Sequence, residues 1–265
     1  MLNHLIPSPV LLGLAQATVA AVLVLAVVWF ARLQEIHLER ETIVAVIRGL
    51  GQISLSGFLL AAILRGPVVL GGLALALMIG AAGSIAADRT RKVPGARPAA
   101  AFGIAVGSAL VIAAMAAAGV IDIKIASLVP VGSMIINGAM NASAQTLERF
   151  GADVLAHTGQ IEAALALGAA PAEAVVAHSR NAVSASLIPS VNSMRSLGIV
   201  WIPGLMAGML LTGSDPVYAA IYQFVVVAMI YAASGLAALW TISVVPRRVF
   251  SSADQLILRP ALVND

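Results

Sequence analysis

The chain has 265 residues, 60% of them hydrophobic and only 10% charged, with a net charge of +3 and a mean hydropathy of +1.00. A water-soluble domain carries about 25% charged residues, so too little polar surface is available here to cover a soluble globule, and the bilayer must solvate much of the chain. The lack of cysteine removes disulfides, thiolate metal sites and thiol catalysis, and basic residues scattered between apolar runs argue against a nucleic-acid partner.

A spanning helix needs about 20 mainly apolar residues. The first such run, residues 10–31, ends in Trp29-Phe30-Ala31-Arg32, an aromatic and basic membrane boundary. No Lys or Arg precedes it, and it exceeds the apolar core of a signal peptide, so it reads as a mature span. Residues 43–64, 67–87, 99–121 and 217–245 qualify plainly. Two segments are weaker: 125–147, with Pro130, Asn137, Asn141 and Gln145, and 190–212, with Asn192, Arg195 and the Pro203-Gly204 pair. The expected fold is all-α, a single polytopic transmembrane bundle of about seven spans.

The positive-inside rule orients it. With seven spans and the N-terminus outside, the cytoplasmic side receives Arg32, Arg40, Arg89, Arg91, Lys92, Arg97, Arg149, Arg180, Arg247, Arg248 and Arg259. The outer side receives only Arg65 and Lys124. Arg48 and Arg195 fall near span ends, where snorkelling toward headgroups is favoured over lining the cavity. The C-terminus is therefore expected in the cytoplasm, and the chain in the bacterial inner membrane.

The longest cytoplasmic connection, about 148–189, reads as a helical hairpin. Residues 148–167 lack proline and favour helix, continuing the span that starts at Ile125. Gly168-Ala169-Ala170-Pro171 then breaks the helix, Gly suiting a C-cap and Pro171 the first turn of a second helix to about Ile188. A tip of small residues lets a partner's groove approach the backbone, and the hairpin's mild apolarity favours docking over full solvation. His157 and His178, also on the hairpin, read as surface residues in preference to metal ligands.

Glu162-Ala163-Ala164-Leu165-Ala166-Leu167-Gly168-Ala169-Ala170-Pro171 resembles the EAA-type coupling motif of ABC transporter permeases, which inserts into a cleft of the ATP-binding subunit. The importer pattern places an Ile-x-Leu-Pro ending about ten residues after the glycine, whereas here Leu187-Ile188-Pro189 comes some twenty residues after it. A narrower family fits better. The stretch from Pro130-Val131-Gly132-Ser133 to Gly138-Ala139-Met140-Asn141 resembles the signature of the FetB-like (UPF0014) permeases. So do Ala166-Leu167-Gly168-Ala169, Ile188-Pro189-Ser190-Val191-Asn192-Ser193-Met194 and Pro203-Gly204-Leu205-Met206-Ala207-Gly208. The resemblance implies ATP-driven export of iron or another metal by a homodimer bound to a cytoplasmic ABC ATP-binding subunit. It assigns coupling to Glu162, Ala163, Gly168, Ala169 and Pro171.

The residues restrict the energy source independently. Neither lysine, Lys92 or Lys124, is followed by the Ser or Thr a P-loop needs, so no cofactor is expected in this chain and Mg-ATP is expected in the partner. No span as drawn contains Asp, Glu or His for a proton relay. A self-sufficient secondary carrier or channel, with the hairpin as a gate, is the alternative. A membrane enzyme lacks support, since no G-x-S-x-G motif or His-rich cluster is present.

Polar residues within spans are the pathway candidates: Gln52, Asn137, Asn141, Asn192 and Ser193. Asn137 and Asn141 lead them because they share a helix face. Interhelical hydrogen bonding is the competing role for each. Met134, Met140 and Met194 offer thioethers to a soft metal, although methionine is more often apolar filler. Gly103-Ile104-Ala105-Val106-Gly107 is a G-x-x-x-G pattern, a weak indication of a helix contact that leaves the dimer interface open.

Overall fold

A computed structural model describes residues 9–37, 39–90 and 93–258. Arg91, Lys92 and Arg259, used above for orientation, lie outside them. The described residues form ten α-helices, one 3-10 turn and no strand, only the isolated bridges Leu197–Trp201 and Phe250–Leu256. Six helices are long and apolar enough to cross a bilayer, so the protein is a polytopic helical bundle.

The chain divides at Gly66 into two compact units. The first holds α1 (Pro9–Leu33) and α2 (Glu39–Ile63), packed on each other, with Arg32 and Glu39 paired at 3.5 Å across the connection. Neither helix buries a described side chain within the unit, as expected where lipid is as apolar as the residues themselves. Gln52 is exposed on α2.

The second unit contains α3 (Val68–Arg89), α4 (Ala96–Ala117), α5 (Ile125–Ala156), α6 (Thr158–Ala166), α7 (Pro171–Ala174), α8 (Val176–Ser196), α9 (Gly204–Leu211) and α10 (Pro216–Val244). At its centre is α5, against which α3, α4, α8 and α10 all pack. Its buried residues Leu128, Val131, Ile135, Ala139, Ala142, Thr146, Phe150 and Val154 recur every three or four positions, the period of one helix face. Buried hydroxyls join the neighbours: Thr241 of α10 donates to Ser143 of α5 at 3.0 Å, and Thr146 of α5 lies 2.9 Å from Ser186 of α8.

The segment expected as a continuous span at 190–212 is instead broken. After Ser196 the chain turns through Gly198, whose φ is +77°, closes a bridge between Leu197 and Trp201, and restarts as α9 behind Pro203. Proline cannot donate to the preceding turn and pushes the residue before it out of the helical region. At eight residues, α9 spans only about 12 Å. The buried Gln223 of α10 accepts the Met206 N–H at 3.1 Å, satisfying one of the donors that a helix start leaves orphaned. Pro189, by contrast, does not end its helix: α8 runs straight through it.

Candidate coupling and pathway site

Two breaks divide the hairpin that the sequence suggests as two plain helices. The long α5 stops at Ala156, and His157 adopts φ −114°, ψ 22° before α6 begins. At the break the Thr158 hydroxyl lies 3.0 Å from the Leu155 carbonyl and 3.2 Å from that of Val154. The returning leg opens with the single turn of α7, and the fully buried Val175 separates it from α8.

The tip itself forms as the residues predict. Gly168 has φ +91°, the left-handed region that glycine enters at no steric cost. The Gly168 N–H bonds to the Leu165 carbonyl and the Ala169 N–H to that of Ala164, at 2.9 and 3.0 Å, the paired pattern of a Schellman cap. Pro171 occupies the first turn of α7. Nothing lies within 4 Å of the point where a Gly168 side chain would start, and Leu167 is 89% exposed.

Glu162, Gly168, Ala169 and Pro171 line one open groove of about 750 Å³, while Ala163 is exposed without contributing to its wall. The opposite wall, Ala253 to Leu256, comes from the segment after α10. That segment folds back through the Phe250–Leu256 bridge and a bond from the Ser251 N–H to the Gln255 carbonyl, anchored by buried Val249, Phe250 and Leu258. No sequence pattern marks it, since the short polar run Ser251-Ser252-Ala253-Asp254-Gln255 has neither helical nor strand periodicity.

On α5, the face opposite the core carries Met134, Asn137, Asn141 and Gln145, all exposed or half-exposed. Their spacing of three or four residues sets them in one stripe, and Asn141 Nδ2 donates to Asn137 Oδ1 at 3.4 Å.

The family described as "Uncharacterised protein family (UPF0014)" matches residues 14–250. Protein ALUMINUM SENSITIVE 3 of Arabidopsis thaliana is 29% identical over 92% of this chain and 90% of its own. UPF0014 membrane protein STAR2 of Oryza sativa subsp. japonica is 30% identical over 93% and 87%. The "Probable iron export permease protein FetB" of Escherichia coli is 32% identical over 58% and 60%. No solved structure matches. This chain belongs to the UPF0014 family. It is a multi-pass inner-membrane permease, and the match covers both units.

Within this UPF0014 chain the motif residues take distinct places. The stretch from Pro130 to Asn141 contributes core positions and the polar stripe of α5 together. Asn192 lines a separate cleft of about 320 Å³ with Leu187, Val191, Arg195 and Tyr231, which gives Arg195 a place in a cavity wall. Ser193 donates its hydroxyl to the Pro189 carbonyl at 3.0 Å. Met140 packs against the main core, as apolar filler does, Met194 is half-buried on α8, and Met134 is 38% exposed on the α5 stripe.

Proposed function

We propose that this UPF0014 permease is the membrane subunit of an ATP-driven exporter of iron or another metal. In this reading it works as a homodimer with a separate cytoplasmic ATP-binding subunit, which binds and hydrolyses Mg-ATP. The observation that carries the proposal is the hairpin tip: a left-handed glycine cap with open space around Gly168, beside an exposed leucine and a groove. A tip of that shape offers bare backbone and one apolar side chain to a partner's cleft. The chain supplies no P-loop lysine of its own, and the E. coli relative is named a probable iron export permease.

The tip and residues 253–256 share one groove and therefore one side of the membrane. Because α10 is a full span, its start at Pro216 belongs on the other side. The broken α8–α9 stretch would then carry the chain across once, which supports seven crossings, and the bias of basic residues supports a cytoplasmic hairpin and C-terminus.

Transmission follows from α5. It is one helix from Ile125 to Ala156, so displacement at its cytoplasmic end reaches Asn141, about 22 Å away at 1.5 Å per residue. The stripe offers amide oxygens and the Met134 thioether, neutral ligands suited to brief passage of a cation.

The test is affinity purification of the tagged permease from native membranes, with identification of what accompanies it. An ATP-binding subunit is expected with the natural chain and lost in Gly168→Trp, which combines bulk with left-handed strain at the tip. Recovery of the permease alone under gentle extraction would point instead to a secondary carrier gated by the hairpin.

A further inference from the structure

We propose that Asp153, His157 and His178 form a binding site for a divalent first-row transition cation, tying together the two legs of the hairpin. The sequence offers His157 and His178 as metal ligands only as the less favoured role and does not single out Asp153, from which His178 is 25 residues away. The fold brings them together. His178 Nδ1 lies 2.7 Å from Asp153 Oδ2, while His157 Nδ1 lies 3.1 Å from Asp153 Oδ1 and 2.9 Å from the Asp153 backbone carbonyl, a local contact it would exchange for the ion. The two rings are tilted by 31° with centroids 5.1 Å apart, and one ligand atom from each residue lies within 4.8 Å of the others.

Two imidazole nitrogens and one carboxylate oxygen suit Fe(II), Mn(II), Co(II) or Zn(II), with the remaining positions left to water. Metal–ligand distances of about 2.0–2.2 Å hold donors at most about 4 Å apart, so small side-chain rotations would gather these three around one ion. Access is available. The His157 side chain is 40% exposed, and Asp153 lines an open cleft of about 390 Å³ with Arg149 and Asn181. A single carboxylate, with the Arg149 cation in the same cleft, favours reversible over permanent binding.

Position gives the site its consequence. Asp153 belongs to the last turn of α5, His157 is the residue at which the helix breaks, and His178 lies near the start of α8. An ion held by all three would bridge the break and fasten it to the returning leg, stiffening the segment that presents Gly168. Metal in the compartment that the hairpin faces would thereby set the rigidity of the tip. Only the naming of that compartment as cytoplasm rests on the topology proposed above; the binding itself does not.

The experiment is a Co(II) titration of the tag-free, detergent-purified full chain, without any ATPase, read by visible d–d absorption. One equivalent per chain is expected. Asp153→Asn, His157→Asn and His178→Gln should each weaken binding by roughly ten-fold or more, and the double histidine variant should abolish it. Amide hydrogen exchange over residues 157–178 should slow on adding Co(II) to the natural chain and stay unchanged in the double variant. A single elution peak and an unaltered thermal transition without metal would show that the variants are folded. Absence of Co(II) absorption in the natural chain, or binding that survives all three substitutions, would overturn the proposal and leave a hydrogen-bonded latch. Because no partner is present, neither result depends on whether the permease recruits an ATPase.

Discussion

Gly107 of α4 meets Ala237 of α10 so closely that a side-chain carbon on the glycine would lie 2.7 Å from the Ala237 backbone nitrogen and 2.9 Å from the Ala233 carbonyl oxygen. One turn earlier, Gly103 faces Thr241 and the Ala237 carbonyl just as tightly. The G-x-x-x-G pair is therefore spent inside the chain, on α10, and is not available for contact with another molecule. Backbone cannot yield as a flexible side chain can, so Gly107→Val should destabilise the second unit by about 1–3 kcal/mol or prevent its folding. Gly235→Ala, on α10 itself but with nothing within 4 Å, should be tolerated. Thermal unfolding in detergent distinguishes the two, and equal losses would contradict the packing.

Gln223 invites a second test. It is buried, and its side-chain oxygen accepts the Met206 N–H at the start of α9. Gln223→Met keeps the length and removes the acceptor, leaving a backbone donor without a partner at a cost of about 1–2 kcal/mol. Exchange of the α9 amides should accelerate by roughly ten-fold, with little change in α3 or α4. A uniform acceleration would mean that Gln223 supports the whole unit rather than the helix break.

These two contacts mark what the sequence could and could not reveal. Span positions were legible because apolar run length is a local property: 67–87 and 217–245 anticipate α3 and α10 within a few residues. The Gly168 cap was legible for the same reason, since left-handed geometry and a following Pro171 are local demands. The break at 197–203 was marked by Pro203-Gly204, yet hydropathy alone bridged it. The joining of His178 to Asp153, and of residues 253–256 to the tip, depends on packing between distant segments, which no local pattern encodes.

Asn137 and Asn141 separate pathway lining from helix glue. They bond only weakly to each other, at 3.4 Å, and Asn137 is exposed on the face of α5 turned away from its core. Asn137→Ala should leave thermal stability within about 0.5 kcal/mol of the natural chain, the range of substitutions away from core features. On the proposed reading of an ATP-driven metal exporter, efflux of metal from loaded vesicles containing permease and ATPase should nevertheless fall several-fold. The buried Ser143–Thr241 bond is the contrasting case, where Thr241→Val should cost about 1 kcal/mol in stability. Lost stability with unchanged efflux for Asn137→Ala would return the stripe to a packing role between helices or protomers.

The absence of native cysteine makes topology directly measurable, because each introduced thiol is the sole target of a maleimide. Ala169→Cys at the hairpin tip and Ala253→Cys in the C-terminal segment should label from the same side, since both residues wall one groove. Ile123→Cys, 60% exposed between α4 and α5, should label from the opposite side, as should Ser214→Cys between α9 and α10. In intact cells a membrane-impermeant reagent should reach only the second pair if the hairpin faces an ATP-binding subunit. Labelling of Ser214→Cys together with the tip would mean that the broken α8–α9 stretch turns back on itself. Residue 253 would then need α10 to return it to the tip's side without a crossing, which a 29-residue apolar helix does not readily do. Reversal of both pairs would keep the seven crossings but place the hairpin outside, beyond the reach of any ATPase.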